Sequence, residues 1–161
     1  MSVKNWFTPS TPGRRAVSRV AVGTVAVSTA VFGLQSPSWA DENYLDHCTD
    51  YGVRCQTGVQ VGEPTVADQC GTDETYLTAV CVVEHGDIVY VRDGRVDGHS
   101  GLARIDAGAG VAWRYCRNPH GGGTWAKCNF DWAEDYVTNV YGGVRKSNSD
   151  YPIYWLFKFS G

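Results

Sequence analysis

One stretch of the sequence concentrates the residue types that most often recognise ligands. Residues 113–128, WRYCRNPHGGGTWAKC, hold two tryptophans, two arginines, a histidine and two cysteines around three consecutive glycines. Aromatic and arginine side chains on a covalently fixed loop lose little conformational entropy when they bind a partner. We therefore predict a recognition surface at this loop, made by Trp113, Arg114, Arg117, Asn118, His120 and Trp125.

The same stretch also fits a cross-linked hairpin that has no function of its own. Three glycines at a tip reach positive φ without steric strain. In this interpretation residues 110–116 pair with residues 124–132 around Gly121 and Gly122. Cys116 then lies opposite Lys127, one position from Cys128. The sequence leaves the structural and the functional interpretation open.

Catalysis would require a base, an acid and a charge-stabilising group within hydrogen-bonding distance of one another. Two sets of residues offer such groups, namely Glu84 and His85 with Asp87, and His99 and His120 with Arg114 and Arg117. Neither set falls in a motif such as G-x-S-x-G or H-E-x-x-H. A small secreted hydrolase stays an alternative, and the sequence assigns no catalytic residue.

Asp93 and Asp97 are the residues that would suit a metal ion. They lie between glycines in RDGRVDGHSG, residues 92–101, where carboxylates could hold calcium in an extracellular protein. Two aspartate–glycine turns account for the same letters. We therefore assign no metal and no cofactor to the chain.

The six cysteines predict a disulfide framework. An even number of cysteines in a small exported chain is typical of disulfides, whereas zinc sites favour close pairs such as C-x2-C. The cysteines that we expect to pair are neighbours in sequence. The expected bridges are Cys48–Cys55, Cys70–Cys81 and Cys116–Cys128.

The first forty residues have the pattern of a signal peptide. A basic start precedes the apolar run Val20 to Leu34, and Ser38-Trp39-Ala40 suits cleavage before Asp41. The run is shorter than the roughly 20 residues that span a bilayer, so no membrane span is expected after cleavage. Arg14-Arg15 leaves the twin-arginine route open beside the general secretory route. Either route predicts a secreted protein, and arginine outnumbers lysine seven to three after the cut, as in GC-rich bacteria.

The charge of the remaining chain argues against two classes of partner. Four of the 14 basic residues and none of the 17 acidic residues lie in residues 1–40, so residues 41–161 carry a formal charge of −7. This balance argues against nucleic acid or an anionic membrane held by bulk electrostatics.

Short β-branched and aromatic runs separated by glycine turns predict an all-β domain over residues 41–161. We expect about six short strands in a small disulfide-stapled β-barrel or sandwich. Residues 41–75 are expected to be loop-rich, and residues 131–141 form either a short helix or a further strand. In the last segment, alternation predicts one buried face made by Ile153, Trp155, Phe157 and Phe159.

Residues 41–161 contain four tryptophans, nine tyrosines and three phenylalanines, more than a core of this size needs. Exposed aromatic side chains favour contacts with proteins or sugar rings. The leading hypothesis is an exported, non-catalytic binding protein whose partner is an extracellular protein or a cell-envelope glycan. A protease is included, since Arg114 or Arg117 would suit a trypsin-like pocket. A secreted hydrolase and an antibacterial toxin component are the alternatives.

Overall fold

Ten short strands form most of the described structure. The computed structural model describes residues 45–108, 112–133 and 136–160, and the predicted signal peptide, residues 1–40, lies outside these ranges. The strands are β1 (Arg54–Thr57), β2 (Val59–Val61), β3 (Gln69–Thr72), β4 (Ala79–Val83), β5 (Ile88–Arg92), β6 (Ser100–Asp106), β7 (Arg114–Asn118), β8 (Trp125–Asn129), β9 (Val137–Arg145) and β10 (Ile153–Ser160). Two 3-10 segments, Asp46–Thr49 and Glu84–Gly86, are the only helical turns in the described ranges.

The strands form two five-stranded sheets. Sheet A has the order β1-β7-β6-β9-β10 and sheet B the order β2-β8-β5-β4-β3. All neighbours are antiparallel except β1 and β7, which run parallel. The all-β prediction is confirmed. The sheets are not closed into a barrel, so the expectation of a barrel or sandwich is confirmed only in part.

The number of strands is larger than the sequence predicted. β4, β5 and β8 lie within the β-branched or aromatic runs at residues 75–83, 87–93 and 124–132, and β6, β7 and β10 overlap the runs at 101–106, 110–116 and 151–159. β1, β2 and β3 lie in the segment expected to be loop-rich, and β9 is the further strand that residues 131–141 left open. The estimate of about six strands is therefore wrong, because short strands with little apolar alternation form where longer neighbours supply backbone partners.

The inner faces of the two sheets meet in one apolar core. Sheet B contributes Val80, Val82, Val89 and Val91, and sheet A contributes Ala103, Ile105, Cys116, Val140, Phe157 and Phe159. These positions alternate along each strand with residues of the outer face, as the period of two requires. Burial of one valine side chain stabilises a fold by roughly 1.5 to 3 kcal/mol, so this layer holds the sheets together.

All three expected disulfides are present, but Cys116–Cys128 joins the two sheets instead of closing a hairpin. β7 pairs with β1 and β6, whereas β8 pairs with β2 and β5. The hairpin of residues 110–116 with residues 124–132 was therefore the wrong prediction. Both cysteines point inward from opposite sheets, with their Cα atoms 5.9 Å apart, so the sulfurs meet inside the core.

A bulge in β10 changes the face of one tryptophan. The pairing with β9 shifts register between Trp155 and Phe157. Phe157 and Phe159 point into the core as predicted, but Trp155 is 57% exposed. The extra residue reverses the alternation at this point, so the prediction of one buried face is wrong for Trp155 and for Ile153, which packs in the outer cluster with Leu102.

Residues 45–53 cover part of the outer face of sheet A. Leu45 and Val53 are buried there against Leu102 and Tyr115. The Cys48–Cys55 disulfide fixes this cover segment to β1. The cover protects the β7 side of the face.

Replacing Cys116 and Cys128 together by alanine should lower the free energy of unfolding by roughly 2 to 4 kcal/mol, because the unfolded chain loses a cross-link. Urea denaturation under oxidising conditions measures the difference from the wild type. The matched control replaces Cys48 and Cys55, which close a shorter loop, with a separation of 7 residues against 12. An equal or larger loss in the control would contradict the importance of the bridge between the sheets.

Candidate functional site

The six residues predicted as a recognition surface do not share one surface. Residues 119–124 connect β7 of sheet A to β8 of sheet B, so the flanking residues fall in different sheets. Trp113 lies against the outer cluster of sheet A, and Trp125 lies on the outer face of sheet B. Arg114 and Asn118 are buried. The structure therefore separates the two tryptophans by the thickness of both sheets.

Arg114 links separate backbone segments through hydrogen bonds to their carbonyl oxygens. Its side chain is 8% exposed, and its Nη1 donates to the carbonyl oxygens of Gly52 at 2.8 Å and Ala112 at 2.7 Å. Nε and Nη2 donate to the carbonyl oxygen of Asp131 at 3.3 and 3.0 Å. Burial lowers the pKa of Arg114, and the charge of Arg54 acts in the same direction. The guanidinium thus links three chain segments and has little donor capacity left for a ligand.

Three other polar residues of the loop, Asn118, His120 and Arg117, stabilise its conformation through hydrogen bonds. Buried Asn118 donates to the carbonyl oxygens of Val91 and Thr124, and its Oδ1 accepts from the backbone of His120. The His120 ring lies 2.8 Å from the carbonyl oxygen of Gly58. Arg117 Nε donates to Ser100. These contacts fix the loop between the sheets.

Glycine is required at the tip of this loop. Gly121 and Gly123 have φ of 95° and 85°, as predicted for residues that enter the left-handed region. A Cβ atom at Gly122 would lie 2.5 Å from the carbonyl oxygen of Arg95. The loop therefore packs closely against residues 93–96.

Substitution of Arg114 by methionine should lower the free energy of unfolding by roughly 1 to 3 kcal/mol, because buried carbonyl oxygens lose their donors. Arg54, which pairs with Arg114 across β1 and β7 but is exposed, provides the control. Arg54→Met should change stability by less than about 0.5 kcal/mol. Thermal and urea denaturation of both variants test this difference, and equal losses would contradict it.

Several residues of the two candidate catalytic sets lie in turns. Glu84 and His85 lie in the 3-10 segment that joins β4 to β5, and the backbone of His99 donates to Asp97. Asp93 accepts from the backbone of Arg95, and burial raises the pKa of its carboxyl. The carboxylates of Asp93 and Asp97 therefore each accept a backbone hydrogen bond within a turn. Among the described residues, no group of three His, Cys, Asp or Glu side chains is placed to hold a metal ion.

A groove of about 830 Å³ crosses the outer face of sheet B. Its floor contains Trp125, Ala79 and the Cys70–Cys81 disulfide, and Gln60, Glu63, Thr72 and Arg92 supply polar groups to its lining. Trp125 is only 9% exposed, so its ring offers little surface for stacking. The groove is a second candidate docking site, and its aromatic floor is largely buried.

The outer face of sheet A carries a row of aromatic residues around an arginine. Trp155 pairs with Tyr141, Tyr141 with Arg104, and Arg104 with Tyr115, on four neighbouring strands. The guanidinium carbon of Arg104 lies 4.0 Å from the centre of the Tyr141 ring and 4.8 Å from that of Trp113. Such distances are typical of cation–π contacts, which hold the guanidinium between two rings.

A polar row lies beside the aromatic one. Lys158 pairs with Asn139, and Asn139 with Asp106. This row lies two residues from the aromatic row along β9 and β6, and three along β10, where the bulge adds one residue. Because Ile105, Val140 and Phe157 point into the core, these three polar side chains share the outer face with Arg104. We name the Arg104 face as these residues together: Arg104, Asp106, Trp113, Asn139, Tyr141, Trp155 and Lys158.

The cover segment forms one rim of the Arg104 face. The His47 ring meets Trp113 and Tyr151 edge-on, with centroid distances of 5.7 and 5.5 Å. His47 Nδ1 lies 3.3 Å from a carboxylate oxygen of Asp50. The cover segment therefore packs against Trp113, whereas Trp155 at the other end of the row is exposed.

Burial at this rim strongly raises the pKa of one tyrosine. Desolvation raises the pKa of Tyr115 from 10.0 to about 12, although the positive charge of Arg104 opposes the shift. Burial also raises the pKa of Tyr151. Neutral Tyr115 is therefore a fixed part of the base on which Arg104 rests.

The raised pKa of Tyr115 predicts a loss of stability at high pH. The stabilising contribution is complete below the unfolded value of 10.0 and is lost as the pH rises through about 12, because the unfolded chain ionises first. Tyr115→Phe should therefore weaken the pH dependence of the free energy of unfolding in this window. Urea titrations of both proteins measure it, with Tyr51→Phe on the exposed surface as the control. Identical curves for wild type and Tyr115→Phe would contradict the assignment.

Sequence reasoning included only Trp113 of this face. Arg104, Tyr141 and Asp106 stand in separate strands, and nothing local marks them as neighbours. The alternation in GLARID gave the available signal, since Leu102, Arg104 and Asp106 fall on one face once Ala103 and Ile105 are taken as core.

Comparison with known proteins finds no family model, no curated protein and no solved structure that matches this chain. No helix in the described ranges is long and apolar enough to cross a membrane. Three disulfides in a small β fold are typical of an oxidising, extracellular environment.

Proposed function

We propose that this protein is a secreted, non-catalytic binding protein whose ligand is a cell-envelope glycan that lies on the Arg104 face. The observation that carries the proposal is the exposed Trp155 beside the half-buried Tyr141 at one end of the aromatic row, next to a row of polar side chains. Tryptophan and tyrosine combine an apolar ring with a polar edge, which suits the alternating apolar and hydroxyl surfaces of a sugar.

The dimensions of the row suit a short oligosaccharide. Trp155, Tyr141 and Arg104 occupy three adjacent strands, and two strand spacings amount to about 10 Å, whereas Tyr115 is buried beneath the cover segment. The row is fixed by backbone pairing, so the rings are held in place before a ligand arrives. Preorganisation of this kind reduces the entropy lost on binding.

The polar row supplies hydrogen bonds for hydroxyl groups. Asp106 accepts, Lys158 donates, and the Asn139 amide does both. None of the three side chains is engaged in a side-chain hydrogen bond or ion pair among the described residues. A ligand would therefore meet these groups without displacing an internal partner.

Trp155→Ala should reduce the affinity for the glycan by about five- to thirtyfold, because stacking on one large ring is worth roughly 1 to 2 kcal/mol. The measurement is cosedimentation of the mature protein with insoluble cell-wall polysaccharides, followed by calorimetry with a soluble fragment of the one that binds. Trp155 is exposed, so its removal should leave the melting temperature nearly unchanged.

Tyr90→Ala provides the matched control on the outer face of sheet B, where Tyr90 packs beside Trp125. It should bind the polysaccharide as the wild type does. Binding that survives Trp155→Ala but disappears with Tyr90→Ala would reject the Arg104 face as the site. Absence of any retention on glycans would reject the proposed function.

A peptide segment of an extracellular protein in the groove of sheet B is the second candidate. The volume of the groove favours it, as does the position of β3, which forms one edge of the sheet and lines the groove through Cys70 and Thr72. Backbone groups at such an edge can pair with an added strand. Loss of partner binding in Tyr90→Ala alone would support this candidate.

A further inference from the structure

We propose that Arg104 makes the Arg104 face selective for saccharides that carry a carboxylate, such as chains of uronic acid residues. This inference deepens the proposed glycan-binding function and rests on it. Three observations support it: the contacts that hold the guanidinium, the absence of a carboxylate beside it among the described residues, and the distribution of charge over the face.

The two rings orient the guanidinium of Arg104. Tyr141 covers it at 4.0 Å and Trp113 contacts it at 4.8 Å, so aromatic surface occupies the space over the cation. Its Nε is buried without a hydrogen-bond partner, and the Tyr115 hydroxyl neighbours the guanidinium. The paired Nη groups form the fork that binds a carboxylate through two parallel hydrogen bonds.

No carboxylate of the described residues neutralises this cation. Among the described residues, no acidic oxygen lies within 4.0 Å of the Arg104 guanidinium. Asp106 follows two residues later on the same face but does not approach it that closely. Cation–π contacts stabilise the charge by only about 0.5 to 2 kcal/mol, so they leave it available to an anion.

The charge of the face differs from that of the whole protein. The complete sequence has a formal net charge of −3, yet the two rows carry Arg104 and Lys158 against Asp106 alone. Lys158 is exposed on β10, the strand that also carries Trp155. A sugar ring stacked on the aromatic row can therefore direct a ring carboxylate at Arg104 while a second acidic residue reaches Lys158.

The experiment compares two probes that differ only in charge. Calorimetry at low ionic strength measures the affinity of the mature, disulfide-bonded protein for trigalacturonic acid and for the same trisaccharide with its carboxyl groups reduced to hydroxymethyl groups. The wild type should bind the acid at least about tenfold more tightly, the contribution of one charge-assisted bidentate contact.

Three variants locate the source of the preference. Arg104→Gln should remove the preference, so that its affinities for the acid and for the reduced probe agree within about twofold. Arg104→Lys keeps the charge but loses the planar fork, so its preference should be intermediate. Arg92→Gln, on the outer face of sheet B, is the matched control and should bind as the wild type does.

The comparison of probes on the wild type keeps the proposal testable even if Arg104 variants do not fold. Equal or tighter binding of the reduced trisaccharide would overturn the inference and leave the glycan-binding function standing. Binding of neutral glycans without any affinity for the uronate would do the same. Failure to bind any saccharide would overturn both.

Discussion

The apolar layer between the two sheets is the constraint on which the remaining structure depends. Valines of sheet B and the inward residues of sheet A fill it, and the Cys116–Cys128 bridge crosses it. Because strands β4 to β10 place inward residues in this layer, the intervening residues must face outward in fixed rows. The outer rows inherit their positions from the core, which explains why Arg104, Tyr141 and Trp155 can form a site without loops to hold them.

The sequence predicted the strands that carry their own apolar alternation. β4 and β5 are nearly continuous β-branched runs, and both appear where the pattern placed them. β1, β2 and β3 contain three or four residues with half-exposed or exposed side chains, so no local pattern announces them. Their formation depends on neighbours such as β7, β8 and β4 and on the cysteines within β1 and β3.

The choice of strand partner was not accessible from the chain alone. Residues 113–128 look like a hairpin because two cysteines flank a glycine-rich turn, and the disulfide itself was predicted. A bridge of this spacing forms equally well across a core when both cysteines occupy inward positions. Arg114 and Asn118, which flank the turn, are then buried and bind backbone groups. The arginine, asparagine and glycine content of this stretch therefore reflects how the chain connects the two sheets.

The candidate site depends on pairing between residues that are distant in sequence. Arg104, Tyr141 and Trp155 come from β6, β9 and β10, and the bulge in β10 alone decides that Trp155 faces outward. A strict alternation from Phe157 and Phe159 buries Trp155, which is what the pattern predicted. A bulge re-aims a side chain at the edge of a sheet, and such irregularities are frequent near functional sites.

Placing the Arg104 cation on this face costs hydration free energy, and contacts within the face offset part of that cost. A cation in the middle of an aromatic row loses part of its hydration, and the usual compensation in a folded protein is a carboxylate partner. Here the rings of Trp113 and Tyr141 supply a weaker compensation, and the buried Nε has no partner. A structure that needed only stability would gain by pairing or removing this charge. Its retention, beside an exposed tryptophan that the core does not require, is the arrangement expected where an anionic ligand completes the interaction.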